Sequence, residues 1–160
     1  MVLGTYVCYP RPNQTWSCDL IFGNGLLVPD NMKIPDMELH GLATGTHVRT
    51  IIENVLVDWI KESASFCDSK IALSWTCYER VKLTTFVRNR VTAIRSKINL
   101  NMYHANGKFN STDVGTRPDK ITIDSVRPGS IWLKGHPWMQ RSLEEVRKEG
   151  TITYRRYKAE

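Results

Sequence analysis

Three acidic residues carry the first chemical suggestion in this 160-residue chain. Glu38 lies in Ile34-Pro35-Asp36-Met37-Glu38-Leu39, Asp68 in Phe66-Cys67-Asp68-Ser69-Lys70, and Asp113 in Asn110-Ser111-Thr112-Asp113-Val114-Gly115. Carboxylates gathered in one place hold magnesium, which prefers carboxylate and water oxygens. Two such ions ~3.5–4 Å apart stabilise the attacking and leaving oxygens of a phosphodiester hydrolysis. Without cations, gathered acids repel one another and take up protons, so such a site is strongly metal-dependent. Each acid also has an ordinary explanation. Glu38 complements the positive end of a helix, Asp68 caps the helix after it, and Asp113 closes an Asx-type turn before Gly115. Other chemistries find less support: no Ser-His-Asp or Cys-His nucleophile is indicated, and Gly23-Asn24-Gly25 is not followed by a phosphate-loop pattern.

The elements that must position these acids follow from pattern. Val2 to Tyr9 and Trp16 to about Phe22 are rich in β-branched and aromatic residues and read as strands joined across the turn Pro10–Gln14. Pro35 suits the first turn of a helix, with Asp36 and Glu38 near its positive end. Apolar residues at Leu42, Val48, Ile51, Ile52, Val55, Leu56 and Trp59 predict one buried face, and Gly41 and Gly45 weaken the helix or admit a neighbour. Ser65-Phe66-Cys67 is a short strand and Ile71 to Trp75 a helix. Thr84 to about Lys97 is a further helix with Phe86, Val87, Val91 and Ile94 on one side, and Asn99 to His104 another strand. Loops and short turns follow Lys108, punctuated by Pro118, Pro128 and Pro137. Leu143 to Glu149 is a charged helix, and Thr151 to Tyr157 a basic, aromatic tail. This order favours an α/β layer fold with helices over a sheet.

The bulk numbers agree with one soluble domain: 41% hydrophobic, 24% charged, and no apolar run of the ~20 residues a bilayer span needs. The start of the chain does not read as a signal peptide, so the triplets Asn13-Gln14-Thr15 and Asn110-Ser111-Thr112 read as chance glycosylation matches. The net charge of +6 makes a polyanionic partner plausible through counterion release. Cys8, Cys18, Cys67 and Cys77 lack zinc spacing. Cys67 reads as a buried free thiol, which suggests a reducing interior.

Taken with the segments between them, these residues resemble the ribonuclease H domain of the polyproteins of BEL/Pao-type retrotransposons. Glu38 falls in that family's Ile-Pro-x-x-Glu-Leu motif, Asp68 in its Asp-Ser-Lys motif, and Asp113 at its last aspartate. Ser111 and Thr112 replace the Pro-Ala found there in many members. Phe86-Val87-Arg88-Asn89-Arg90-Val91 resembles the Phe-Val-x-Asn-Arg-Val helix, and Trp132 to Trp138 the Trp-Gly-Pro-Trp segment. The resemblance implies a ribonuclease H-like mixed sheet flanked by helices over residues 1–117, with 118–160 a linker region preceding an integrase. It implies that Glu38, Asp68 and Asp113 are catalytic, metal-binding acids sharing two Mg2+ ions. Lys70, Lys108 and Arg117, near these acids in sequence, become candidates for contacts to a hybrid's backbone. His104 could correspond to a mobile histidine of related nucleases, and an ordinary loop histidine explains it equally well. Trp132, Trp138, Tyr154 and Tyr157 could stack on bases or pack within the linker.

That family has a fourth acid, on a strand ahead of the segment matching Leu3-Gly4-Thr5-Tyr6, and no acid precedes Val2. Asp19 and Asp30 lie in the wrong segments to replace it. The resemblance therefore implies a domain lacking its first, central strand and inactive as it stands. Unpaired buried backbone groups at the gap would cost ~1–3 kcal/mol each, and open strand edges invite pairing, so marginal stability and association are expected. When complete, such a domain would cleave the RNA of an RNA–DNA hybrid, reading hybrid shape and 2′-hydroxyls. The alternative is a non-catalytic nucleic-acid-binding or structural remnant. The implied neighbours are reverse transcriptase and integrase regions, with no membrane partner, in an intracellular setting, cytoplasmic or nuclear.

Overall fold

Alternating strand and helix signals resolve into ten regular elements. The computed structural model describes residues 1–78, 82–97, 101–117, 119, 121–148 and 152–156. In chain order these hold β1 (Val2–Pro10), β2 (Trp16–Gly25), α1 (Ile34–Val55), β3 (Ser65–Cys67), α2 (Lys70–Cys77), α3 (Thr85–Arg95), β4 (Asn101–Ala105), α4 (Ile131–Lys134), α5 (Leu143–Lys148) and β5 (Ile152–Arg156). Tight 3-10 turns at Gly107–Phe109, Ser111–Thr116, Ile123–Val126 and Pro137–Met139 fill much of the remainder. There are two described sheets, an antiparallel β1-β2 pair and a three-stranded sheet of order β3-β4-β5 in which β3 and β4 run parallel. The architecture is therefore mixed α/β. Asn99, Leu100, Pro118, Glu149, Thr151 and Tyr157, which figured in the sequence reading, lie outside the described residues.

The chain divides into two compact units, Met1–Leu27 with Ala105–Thr153, and Val28–His104 with Tyr154–Glu160. In the second, α1, α2, α3 and β4 supply a core of Leu39, Leu42, Ala72, Leu73, Val87, Val91, Ile94 and Met102. On α1 the buried residues Leu39, Leu42, Thr46 and Arg49 recur at three-and-four spacing. This corrects the expected face, because Ile51 and Val55 are exposed and Trp59, 85% exposed, lies beyond the end of α1. Length explains the difference. At ~1.5 Å per residue, α1 extends roughly 33 Å, whereas α2 and α3 reach only about 12 and 16 Å, so its C-terminal turns outrun their partners. Arg49 remains inside because its guanidinium meets Glu53 at 3.2 Å and donates to Ser65 Oγ at 3.2 Å, tying α1 to β3.

Helix α2 starts at Ser69, whose Oγ accepts from the Ala72 N–H at 3.1 Å, and α3 at Thr84, whose side chain accepts from Val87. The C-terminus of α2 is closed by Arg95, which donates to the carbonyls of Thr76, Trp75 and Tyr78 at 3.1, 3.3 and 3.0 Å. Those carbonyls have no intrahelical donor, so a fixed guanidinium fork suits them.

The other unit is built on the hairpin. Gly4 stands opposite Gly23, and their bare backbones let other segments lie directly on one face. A Cβ on Gly4 would meet Thr112 Cγ2 at 3.2 Å, and one on Gly23 would meet the Trp132 ring at 2.9 Å. Tyr6 shares that face and donates from its hydroxyl to Trp132 O at 2.9 Å. Burial pushes the Tyr6 phenol up to about 12, with a hydrogen bond to Ser111 opposing. Lys134 of α4 pairs with Asp19 of β2, which also accepts from Tyr9 Oη at 2.8 Å. The Trp138 indole donates to Phe109 O, and the His136 N–H to Ser111 Oγ.

Cys8 and Cys18, directly opposed in the ladder with Cα atoms 4.1 Å apart, form a disulfide, while Cys67 and Cys77 are free. The expectation of a reducing interior does not fit this pair, because the hairpin brings the two sulfurs together, while Cys67 is free as expected. A crosslink closing a short loop restricts the unfolded chain and typically stabilises by about 2–4 kcal/mol. Reduction of the native chain, or Cys8→Ala with Cys18→Ala, should weaken this unit by that amount in denaturant titrations read by tryptophan fluorescence. An unchanged midpoint would overturn the assignment of a structural role.

Within the loop, Gln14 adopts φ 64°, with its N–H donating to Arg11 O at 3.0 Å. The left-handed region crowds Cβ, so Gln14→Gly should raise stability by roughly 0.5–1 kcal/mol. A measured loss would show that the glutamine side chain matters more than its backbone strain.

Candidate functional site

Leu39 is fully buried, and Glu38 precedes it on α1. Asp36, not Glu38, occupies the first turn, so the simplest helix-dipole explanation belongs to its neighbour. Asp68 is exposed at the junction between β3 and α2. Its capping explanation also fails, because the N-cap of α2 is Ser69.

Cys67 lies between these two acids in an electrostatic sense. Burial is the main cause that pushes its thiol up to about 12, a hydrogen bond from Ser69 opposes, and the carboxylates of Asp68 and Glu38 add to the rise. Two acids far apart in sequence therefore bear on one sulfur at the end of β3. His104 stands opposite Cys67 in the parallel register, with Nε2 3.1 Å from the Asp68 backbone oxygen. The histidine is thus tied to the Asp68 segment by a backbone contact.

Asp113 belongs to the hairpin unit. It pairs with Arg117 at 3.0 Å and lies 3.4 Å from Thr116 Oγ1. The Asx-type turn expected of it is made by Asn110, whose side chain accepts from Thr112 N at 3.1 Å. Among the described residues no three of the His, Cys, Asp and Glu side chains form a group that could hold a metal ion. Two carboxylates acting on one thiol do not amount to the donor set two magnesium ions require, and no hydrolytic step follows from them.

The cation candidates differ in their surroundings. Lys70 is exposed at the first position of α2, and the Lys108 ammonium sits 4.7 Å from the Phe109 ring centroid. Arg117 is engaged with Asp113. The arginines of α3 are bound within the second unit. Arg88 donates to Leu83 O, while Arg90 donates to Phe86 O, stacks 3.4 Å from the Phe86 ring centroid and donates to His40 Nδ1 at 3.3 Å. Burial, followed by the Arg90 charge, lowers the His40 pKa. Sequence reasoning missed Ser69, Arg49 and Arg95. Ser69 had a signal, since serine and aspartate compete as neighbours for one cap.

The raised Cys67 pKa means that the unfolded chain releases this thiol proton first. Stability from the protonated thiol is whole below about pH 9 and is lost as pH rises towards about 12. Glu38→Gln and Asp68→Asn should each lower the apparent pKa of Cys67 in the folded chain, with the larger effect from Asp68→Asn. The pH dependence of Cys67 alkylation, followed by peptide mass spectrometry, measures this. Indifference to both substitutions would separate the two acids from the sulfur. No protein-family model matches this chain, and no curated protein or solved structure is significantly similar to it.

Proposed function

We propose that this chain is a ribonuclease H-like module of retrotransposon type that engages nucleic acid without cleaving it. The observation that supports the reading is that Glu38 on α1 and Asp68 after β3 belong to one unit, beside Leu39 and Cys67 of its shared core. These are the two acids that the BEL/Pao resemblance assigns to the first helix and to the strand after it. Metal-dependent cleavage of an RNA–DNA hybrid would belong to a domain that also carries the fourth acid, with Asp113 completing the set. The non-catalytic alternative gains weight from the lack of a three-acid group among the described residues. Lys70 and Lys108 are the backbone-contacting cations on this reading, within a chain of net charge +6. Reverse transcriptase and integrase regions of a polyprotein would be its neighbours. No helix among the described residues is long and apolar enough to cross a membrane.

The test is a labelled RNA–DNA hybrid offered with and without Mg2+. Expected is salt-dependent binding that needs no metal, with no cleavage, and a salt slope reduced by about one in Lys70→Ala or Lys108→Ala. Cleavage abolished by Asp68→Asn would instead establish a complete catalytic site. Neither binding nor cleavage would defeat both forms of the reading.

A further inference from the structure

We infer that Asn13, in the loop of the hairpin closed by the Cys8–Cys18 disulfide, is a modification site that accepts an N-linked oligosaccharide. The inference lies beyond the nucleic-acid reading and does not rest on it, because it depends only on the segment from Cys8 to Cys18.

Asn13-Gln14-Thr15 has the acceptor pattern, with no proline in the middle position. On sequence alone it reads as a chance match. The disulfide changes that, since such crosslinks persist in the oxidising compartments of the secretory route and are rare in the cytosol. N-linked sugars belong to the surface loops of proteins that take the same route. Free Cys67 fits this setting too. Disulfide exchange needs a thiolate, and burial pushes the Cys67 thiol up to about 12.

The loop supplies the geometry. Residues 9–15 are all exposed. The Arg11 N–H donates to Thr15 O at 2.7 Å and the Gln14 N–H to Arg11 O at 3.0 Å, which closes the turn around Asn13. Asn13 Oδ1 accepts from the Thr15 N–H at 3.2 Å and from Thr15 Oγ1 at 2.6 Å. These bonds join residues two apart, so they form without the rest of the fold. An amide nitrogen is a poor nucleophile because its lone pair is shared with the carbonyl. A hydroxyl donating to Oδ1 stabilises the charge that gathers there as Nδ2 gives up a proton. In the transfer, Nδ2 bonds to C1 of an oligosaccharide carried on a lipid pyrophosphate. The C1–O bond breaks, the pyrophosphate leaves with its electron pair, and the Nδ2 proton passes to a base of the transferase.

Asn110-Ser111-Thr112 provides the contrast. Asn110 accepts from Thr112 in the same way, but it is half-buried at the N-cap of the turn Ser111–Thr116, and Ser111 is only 4% exposed. A bulky, solvated glycan suits the first place and not the second.

The test uses the full chain, isolated without reductant from the cells that make it and cut with trypsin. Fragments are mapped by mass spectrometry before and after an amidase that releases N-linked glycans and converts the carrier Asn to Asp. The fragment of residues 1–33 should reach its unglycosylated mass only after this treatment, with Asn13 converted and Cys8 joined to Cys18. Asn110 should stay unmodified. Thr15→Ala should remove the mass of one glycan, and Thr15→Ser should keep it. Unmodified Asn13, a glycan on Asn110 instead, or a glycan that survives Thr15→Ala would overturn the inference. If the Thr15→Ala chain does not fold, the map of the wild type decides alone. None of these outcomes touches the binding expected of Lys70 and Lys108.

Discussion

Burial of Leu39 and Leu42 of α1 with Leu73, Val91, Ile94 and Met102 is the constraint on which the Val28–His104 unit depends. Each large apolar side chain so buried contributes about 1.5–3 kcal/mol. The same packing sets the rotation of α1. One residue is ~100° of helical turn, so a shift bringing Glu38 to the place of Leu39 would exchange a buried leucine for a carboxylate. Cys67 packs against the same core, and Asp68 follows it into solvent. The two acids are thus positioned by their apolar neighbours. The core, and not any attraction between them, fixes the elements that carry them.

The positive charge of the chain is similarly committed to structure. Arg88, Arg90 and Arg95 donate to backbone carbonyls, and Arg49 is held between Glu53 and Ser65. Their charges still contribute to the long-range field, but their directed donors serve local geometry. A guanidinium that closes α2 cannot also clamp a phosphate without opening that helix end. Composition therefore overstates the cationic surface available to a polyanion, and exposed lysines such as Lys70 and Lys108 matter more than their number suggests.

Local signals were legible where one physical requirement dominated. β-Branched and aromatic content located both strands of the hairpin, Pro35 located the start of α1, and the spacing of Val87, Val91 and Ile94 located the buried side of α3. The buried face of α1 was not legible over its whole length, because apolar periodicity says nothing about where α2 and α3 end. The choice between Asp68 and Ser69 as a cap was equally hidden, since both suit the position and only the backbone path decides. The disulfide had a readable trace: Cys8 and Cys18 lie on the two expected strands, on either side of the turn that joins them. Reading the cysteines for zinc spacing and redox setting passed over that placement. For the site, the motifs singled out Glu38, Asp68 and Asp113, but the pairing of Asp113 with Arg117 was not legible in them.

The hairpin unit coheres in a different way. Its buried apolar residues include Cys18, Ala105 and Val146, a small set beside the core of α1, α2 and α3. Directional links take a larger share: the disulfide, the Tyr6 and Trp138 hydrogen bonds to backbone carbonyls, and the Lys134–Asp19 pair. Hydrogen bonds of this kind define geometry but add only about 0.5–1.5 kcal/mol each in water. A two-stranded sheet needs a third strand or a packed layer for independent stability. Turns and short helices over the glycine-bearing face provide part of that layer, and the disulfide restrains the unfolded alternatives.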